Sequence, residues 1–175
     1  MVSVIVNCLN SQETILRAVY SILNQTLDDL EVIVWDNDSS DSTRELISNL
    51  EDKRIKLFKS DKTVSPGIAR NYAVNQAKGK YVAFCDSDDW WHQEKLKIQL
   101  EVLEGSNYSF VCSDFQIVNL ITDSISTKYQ GRKSSVLTHC DLLENYNVGL
   151  LTLLTYTKIV KKIIKDDSPE YMYIW

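Results

Sequence analysis

The sequence predicts an α/β fold, a mostly parallel sheet flanked by helices and doubly wound, and two observations carry that prediction. Over roughly the first hundred of its 175 residues, short apolar runs alternate four times with segments whose apolar residues recur at helical spacing. The runs are continuous rather than in–out alternating, as expected of strands covered on both faces. An order of strand, helix, strand, repeated, closes into a parallel sheet through right-handed crossovers.

Val2 to Val6 is the first apolar run, and "SQETILRAVYSILNQ" after it places Ile15, Ala18, Val19, Ile22 and Leu23 on one helical face. "LEVIVW" at 30–35 gives a second strand, with Ser39 or Ser40 expected to cap a helix through "DSTRELISNL". "RIKLFK" reads as a shorter third strand. The following "SPGIARNYAVNQAKG" reads as a helix with Ser65 at the N-cap, Pro66 at the first helical position and Gly79 as C-cap. "YVAFC" makes a fourth strand, and "HQEKLKIQLEVLEG" a fourth helix ending at Gly105. Beyond it "YSFVCSDFQIVNL" reads as a strand or hairpin, "THCDLLENY" as a short helix capped by Thr138, and "GLLTLLTY" as another apolar strand. No linker or repeat separates this half, so residues 105–175 are expected to complete the same domain as residues 1–104.

Composition excludes several classes. With 44% hydrophobic and 25% charged residues the chain can bury a core, and its net charge of −5 with scattered basic residues argues against nucleic acid as a partner. Cys8, Cys85, Cys112 and Cys140 show no metal-binding spacing, and the first three sit in apolar runs where a free thiol acts as a small hydrophobe. A reducing cytoplasm is therefore expected. The N-terminus shows no signal-peptide pattern, and "VGLLTLLTYTKIV" is too short and polar to span a bilayer. His92 and His139 are isolated and are assigned to no metal.

Ligands of open α/β sheets bind outside the carboxyl ends of the strands, so the residues just after each strand carry the functional information. The first strand runs into "NCLN" with Asn10, the second into "DNDSSD" (Asp36, Asp38 and Asp41), the third into "SDKTVSPGIARN" with Arg70, and the fourth into "DSDD" with Asp86, Asp88 and Asp89. Asp and Ser at such turns are ordinary helix caps, and that reading competes for "DNDSSD". A cap needs one acid, however, and "DSDD" offers three. An edge with two acidic clusters and an arginine has the composition to hold a divalent cation between carboxylates and a phosphorylated ligand. Trp90 and Trp91 are read as packing, with stacking on a base or sugar as the alternative. Neither GxxxxGK[ST] nor GxGxxG is present, the glycine and bidentate glutamate of a calcium loop are missing after "DNDSSD", and no GxSxG nucleophile elbow occurs.

"VSVIVNCLN", "SILNQTLDDLEVIVWDNDSSDST", "GIARNYAVNQAKGKYVAFCDSDDWW" and "EKLKIQL", in that order and spacing, resemble the inverting family 2 glycosyltransferases of the GT-A fold, over residues 2–104. The resemblance implies transfer of a hexose from a nucleotide-diphosphate donor, with a UDP-sugar favoured and Mn or Mg as cofactor. Carried over by position, Asp36 resembles the aspartate that contacts the nucleobase and Arg70 the arginine of the same pocket, with Asn10 and Asp38 expected beside them. Asp86 and Asp88 resemble the DxD pair that holds the metal, and Asp89 a further, catalytic carboxylate. On this reading the counter-charge of the acidic loop is a metal nucleotide and not a protein cation.

The family often has "DDGSTD" where this chain reads "DNDSSD", so Asn37 replaces an acid and Asp38 the glycine. The general base that an inverting transferase needs resembles Glu170 in "SPEYMYIW", with Asp166 and Asp167 as rivals. The acceptor-side half is expected to be short or truncated. The resemblance implies a glycan, lipid-linked or protein acceptor in cell-envelope polysaccharide synthesis, peripheral association with the inner face of the membrane, and a homodimer. A different outcome, a module that binds a nucleotide sugar without transferring it, shares the same first hundred residues.

Overall fold

The structure is a computed structural model describing residues 1–119, 121–127, 136 and 148–165. The expected helix at 138–146 lies outside the described residues, as do His139, Cys140, Asp166, Asp167 and Glu170. The elements in order are β1 (Val2–Cys8), α1 (Ile15–Leu23), β2 (Leu30–Asp36), α2 (Thr43–Ser48), β3 (Ile55–Lys59), α3 (Pro66–Gln76), β4 (Tyr81–Asp86) and α4 (Lys95–Glu104). They continue with β5 (Phe110–Cys112), β6 (Gln116–Asn119), β7 (Ser124–Thr127), a single 3-10 turn (Leu150–Thr152), β8 (Leu153–Tyr156) and α5 (Thr157–Lys165).

Six strands form one sheet in the order β3-β2-β1-β4-β8-β5. β1 to β4 are parallel, as expected, but β8 pairs antiparallel to both β4 and β5. The sheet is thus mostly, not wholly, parallel, and it is a strand from late in the chain that joins β4 to β5. "YSFVCSDFQIVNL" is not one hairpin: β5 belongs to the main sheet, and β6 pairs with β7 in a separate ribbon. "GLLTLLTY" is likewise split, its first half being the 3-10 turn.

Alternate residues of each strand serve opposite faces. Val2, Val4, Val6, Val32, Val34, Tyr81 and Ala83 pack against Ile15, Ala18, Val19 and Ile22 of α1, Ile47 of α2 and Leu96 and Leu103 of α4. Ile5, Ile33, Val82 and Phe84 face the other way, against Ala73 and Val74 of α3 and Val160 of α5. The connection from β3 to β4 through α3 therefore crosses to the second face, which makes the gap above β1 and β4 the topological switch point.

Helix ends depart from expectation in detail. The N-cap of α2 is Ser42, not Ser39 or Ser40, and Asp41 Oδ1 accepts from the Thr43 N–H at 2.9 Å. Ser65 precedes α3 with extended backbone and Pro66 opens it, but the Ser65 side chain makes no cap bond. Gly79 is not the C-cap of α3, a position that Ala77 takes; Gly105 does cap α4, donating to the Glu101 carbonyl at 3.0 Å. Cys8 and Cys85 are buried free thiols, and burial, with Asp36 as the next contribution, pushes Cys8 up to about 12. Among the described residues no helix is long and apolar enough to cross a membrane.

Lys95 opens α4 with its Nζ 4.0 Å over the Trp91 ring and donating to Gln99 Oε1 at 2.8 Å. Burial brings its ammonium down from 10.5 to about 7. The unfolded chain holds that proton until the ordinary lysine value, so native stability is lower by the full penalty below about pH 7, and the penalty fades as pH rises from there toward 10.5. Lys95→Met is expected to raise unfolding stability at pH 6 by about 1–2 kcal/mol. Urea melts from pH 6 to 10 should show the two proteins converging at the alkaline end; a constant gap would sink this account.

Candidate functional site

Sheet register lines up the last residues of the parallel strands. Asp36 at the end of β2 lies opposite Cys8 of β1 and Lys59 of β3, while Asp86 at the end of β4 lies opposite Asn7 of β1. Because side chains alternate, Asp36 shares the face of Cys8, and Asp86 shares the face of Asn7 and of α3. The expected acids thus flank the switch point from its two sides.

The loops after β1 and β2 are stitched together. Asn10, at φ 51°, donates its backbone N–H to Ser39 Oγ at 2.9 Å, and its side-chain Oδ1 accepts from the Ser40 N–H at 2.9 Å. Gln12 donates its N–H to Asp41 Oδ2 and accepts from the Ser42 N–H, both at 3.1 Å, while the Ser11 N–H donates to Thr43 Oγ1 at 2.7 Å. Ser11 and Ser87 hydroxyls meet at 2.8 Å, tying the β1 loop to the "DSDD" loop. Asn10, expected at the donor site, has its side-chain oxygen bonded across the two loops. Asp38, at φ 70°, pairs with Lys59 at 3.5 Å.

Asp36 has no solvent exposure. Its Oδ1 accepts from the Ser39 N–H at 2.9 Å, yet its Oδ2 is buried and has no partner. A desolvated carboxylate oxygen without a donor costs free energy, so such an atom points to a group that is meant to supply one.

In the acidic loop Arg70 Nη2 donates to Asp86 Oδ1 at 2.6 Å, with the guanidinium 16% and the carboxylate 38% exposed. Asp86 therefore has a protein cation beside it, where none was expected, delivered by α3 on the same face of the sheet. Asp88 is exposed, and its backbone carbonyl accepts from Arg17 Nη2 at 2.8 Å. Asp89 is half-buried, and burial, followed by the Asp86 and Asp88 charges, pushes it up to about 6. The two tryptophans separate: Trp91 is core, whereas Trp90 is 43% exposed with the Arg17 guanidinium 4.1 Å from its ring.

Three residues near this edge carried no expectation. Asn7 Oδ1 and Asn71 Oδ1 are buried acceptors without partners, one opposite Asp86 in the sheet and the other beside Arg70 in α3. Arg17 reaches the acidic loop from the start of α1. Asn7 could have been found by aligning the strand ends, since it stands two residues before the turn; Arg17 and Asn71 depend on which way their helices face.

Hard carboxylate oxygens are the donor set that Mg or Mn prefers. Among the described residues no three His, Cys, Asp or Glu side chains converge closely enough to form a finished metal cage. Asp86 and Asp88 offer carboxylate oxygens of the kind such a cation takes, and ligand oxygens would have to complete its shell.

A family model, Glycosyl transferase family 2, matches residues 3–157. The chain is 36% identical over 154 residues to the UDP-Glc:alpha-D-GlcNAc-diphosphoundecaprenol beta-1,3-glucosyltransferase WfgD of Escherichia coli, covering 88% of this chain and 59% of that protein. It is 33% identical over 156 residues to the putative teichuronic acid biosynthesis glycosyltransferase TuaG of Bacillus subtilis (strain 168), covering 88% and 61%. The chain therefore spans about three fifths of the length of these relatives. Among solved structures, S. aureus TarS 1-349 superposes with a TM-score of 0.77 at 22% identity over 98% of this chain and 52% of that one. The same protein in complex with UDP-GlcNAc gives 0.74 at 24% identity, over 92% and 46%. The sheet order, the switch point and these likenesses agree on a GT-A fold, and the extent of the family match makes this chain a member of glycosyl transferase family 2.

Proposed function

We propose that this chain binds a nucleotide-diphosphate sugar, a UDP-sugar, at the carboxyl ends of β1, β2 and β4 and transfers the sugar with inversion to a glycan acceptor of the cell envelope. The observation that carries the reading is the buried, unpartnered Asp36 Oδ2, an acceptor suited to the N–H of a nucleobase. Arg70, locked on Asp86, lines the same edge and supplies donors to a phosphorylated ligand. The names of the relatives favour UDP as the carrier: WfgD is named for UDP-Glc and a diphosphoundecaprenol-linked acceptor, and TarS was crystallised with UDP-GlcNAc. A lipid-linked acceptor is accordingly the one we favour.

Transfer makes a bond from an acceptor oxygen to the anomeric carbon while the bond to the diphosphate breaks, so negative charge grows on the leaving phosphate. A divalent cation at Asp86 and Asp88 would supply charge neutralisation there. Asp89, next in the loop, and Glu170, outside the described residues, remain the proposed catalytic carboxylates.

The test is calorimetric titration of UDP, GDP and dTDP, with and without Mn, into wild type and Asp88→Ala. UDP binding that Mn strengthens and Asp88→Ala weakens about tenfold or more is expected. Mn-independent binding would remove the metal role, and no binding of any nucleotide would overturn the donor site.

A further inference from the structure

We infer that Asn37 is a positioning residue for donor recognition, its side-chain amide fixing the loop between β3 and α3 as one wall of the nucleobase pocket. The inference rests on the donor-site reading above. Asn37 is 2% exposed. Its Nδ2 donates to the Val64 carbonyl at 2.8 Å, and its Oδ1 accepts from the Val64 N–H at 3.1 Å. That two-point bond is what a neighbouring strand would offer, made here to a segment that is not a strand. The other end of the loop is tied to the same dipeptide, because the Ser60 N–H donates to the Asp36 carbonyl at 2.8 Å. The backbone N–H of Asn37 itself donates to the Cys8 carbonyl at 2.9 Å, which fixes the whole arrangement to β1.

Only an amide satisfies Val64 in this way. An aspartate has no donor for the Val64 carbonyl and would set a charged oxygen against it. The side chain of Asn37 is thus spent on the loop, while the adjacent Asp36 keeps Oδ2 unpartnered. Where the 60–65 loop stands relative to Asp36 Oδ2 therefore sets the room for a base, and the same loop leads into α3, whose Arg70 holds Asp86.

The test measures UDP and CDP affinity by calorimetry for wild type, Asn37→Asp and Asn37→Ser, with thermal melts of each and amide hydrogen exchange on the wild type. The expected result is a preference of the wild type for UDP, a drop of about tenfold or more in UDP affinity in the folded variant, and a narrowing of the UDP-to-CDP ratio. Exchange at the Val64 N–H should be slow beside its exposed neighbours Asp61 and Lys62. A variant with lowered melting temperature but an unchanged UDP-to-CDP ratio would reduce Asn37 to a scaffold and overturn the inference, as would fast exchange at Val64 in the wild type. Wild type that binds neither nucleotide would instead bring down the donor site, and the positioning role with it. Should Asn37→Asp fail to fold, Asn37→Ser, which cannot span both Val64 groups, gives the same ratio, and the exchange measurement needs no variant.

Discussion

Arg70→Ala is expected to weaken UDP binding by about a hundredfold while leaving the protein folded. The guanidinium is the one cation bonded to the acidic loop through a side-chain carboxylate among the described ion pairs, 2.6 Å from Asp86. Removing it leaves the Asp86 carboxylate without that cation, with Asp88 and Asp89 close in sequence. Losing a hydrogen bond from a charged donor to the ligand costs about 1.5–3 kcal/mol of affinity. Stability suffers less, on the order of 1–2 kcal/mol, because the Asp86 carboxylate is 38% exposed and water screens it. A double-mutant cycle separates the two ways Arg70 can act. If it works by holding Asp86, then without Mn, where the proposed cation plays no part, Arg70→Ala with Asp86→Asn should bind UDP no worse than Arg70→Ala alone. If it contacts the phosphates itself, the two losses should add. Wild-type affinity in Arg70→Ala would mean that neither holds.

How much of this site was legible follows from which interactions are local. β1 to β4 and α1 to α4 announce themselves by periodicity, and the rule that ligands lie at strand carboxyl ends led directly to Asp36, Asp86, Asp88 and Arg70. The Arg70–Asp86 pair did not follow, although both residues were singled out. Its formation depends on Asp86 falling on the α3 face and not the α1 face, a parity that one residue more in β4 would reverse. The bond of Asn10 was not legible for a related reason: its Oδ1 accepts from a loop thirty positions away in the chain, and sequence alone does not show which polar side chains at adjacent strand ends bond each other. β8 falls within the expected apolar strand "GLLTLLTY", but its start and its place in the sheet were hidden differently. Four residues reached from far down the chain, antiparallel between β4 and β5, leave no local mark that distinguishes them from the 3-10 turn just before.

Gly79→Ala is expected to cost about 2–4 kcal/mol of folding stability, although Gly79 touches nothing in the donor site. The residue looked like a helix cap, but it lies past the end of α3 and its backbone N–H donates to Ser3 Oγ at 2.8 Å. An alanine Cβ there would stand 2.7 Å from both the N and Oγ of Ser3 and 2.9 Å from the Met1 carbonyl. Two of those atoms are backbone at the start of β1, which the parallel pairing to β2 and β4 holds in place, so a rotamer change cannot relieve the overlap. The clash also falls on a closed polar relay. Ser3 donates to Glu31 Oε1 at 2.6 Å, and the same oxygen accepts the Lys78 N–H at 2.8 Å, with Ser3 and Glu31 both buried. Pushing Ser3 away leaves a buried carboxylate short of a donor, which adds to the steric cost. Ser3→Ala alone should lose about 1–3 kcal/mol from the relay. Adding it to Gly79→Ala should not rescue the alanine, because the contact with the Ser3 backbone nitrogen remains. Urea unfolding of the three variants checks this, and a Gly79→Ala protein within about 0.5 kcal/mol of wild type would refute it. The relay sits at the amino ends of the strands, and the proposed donor site at their carboxyl ends. UDP affinity per folded molecule should therefore stay at the wild-type value in Gly79→Ala, the opposite signature to Arg70→Ala, and the contrast between the two variants tells loss of fold from loss of site.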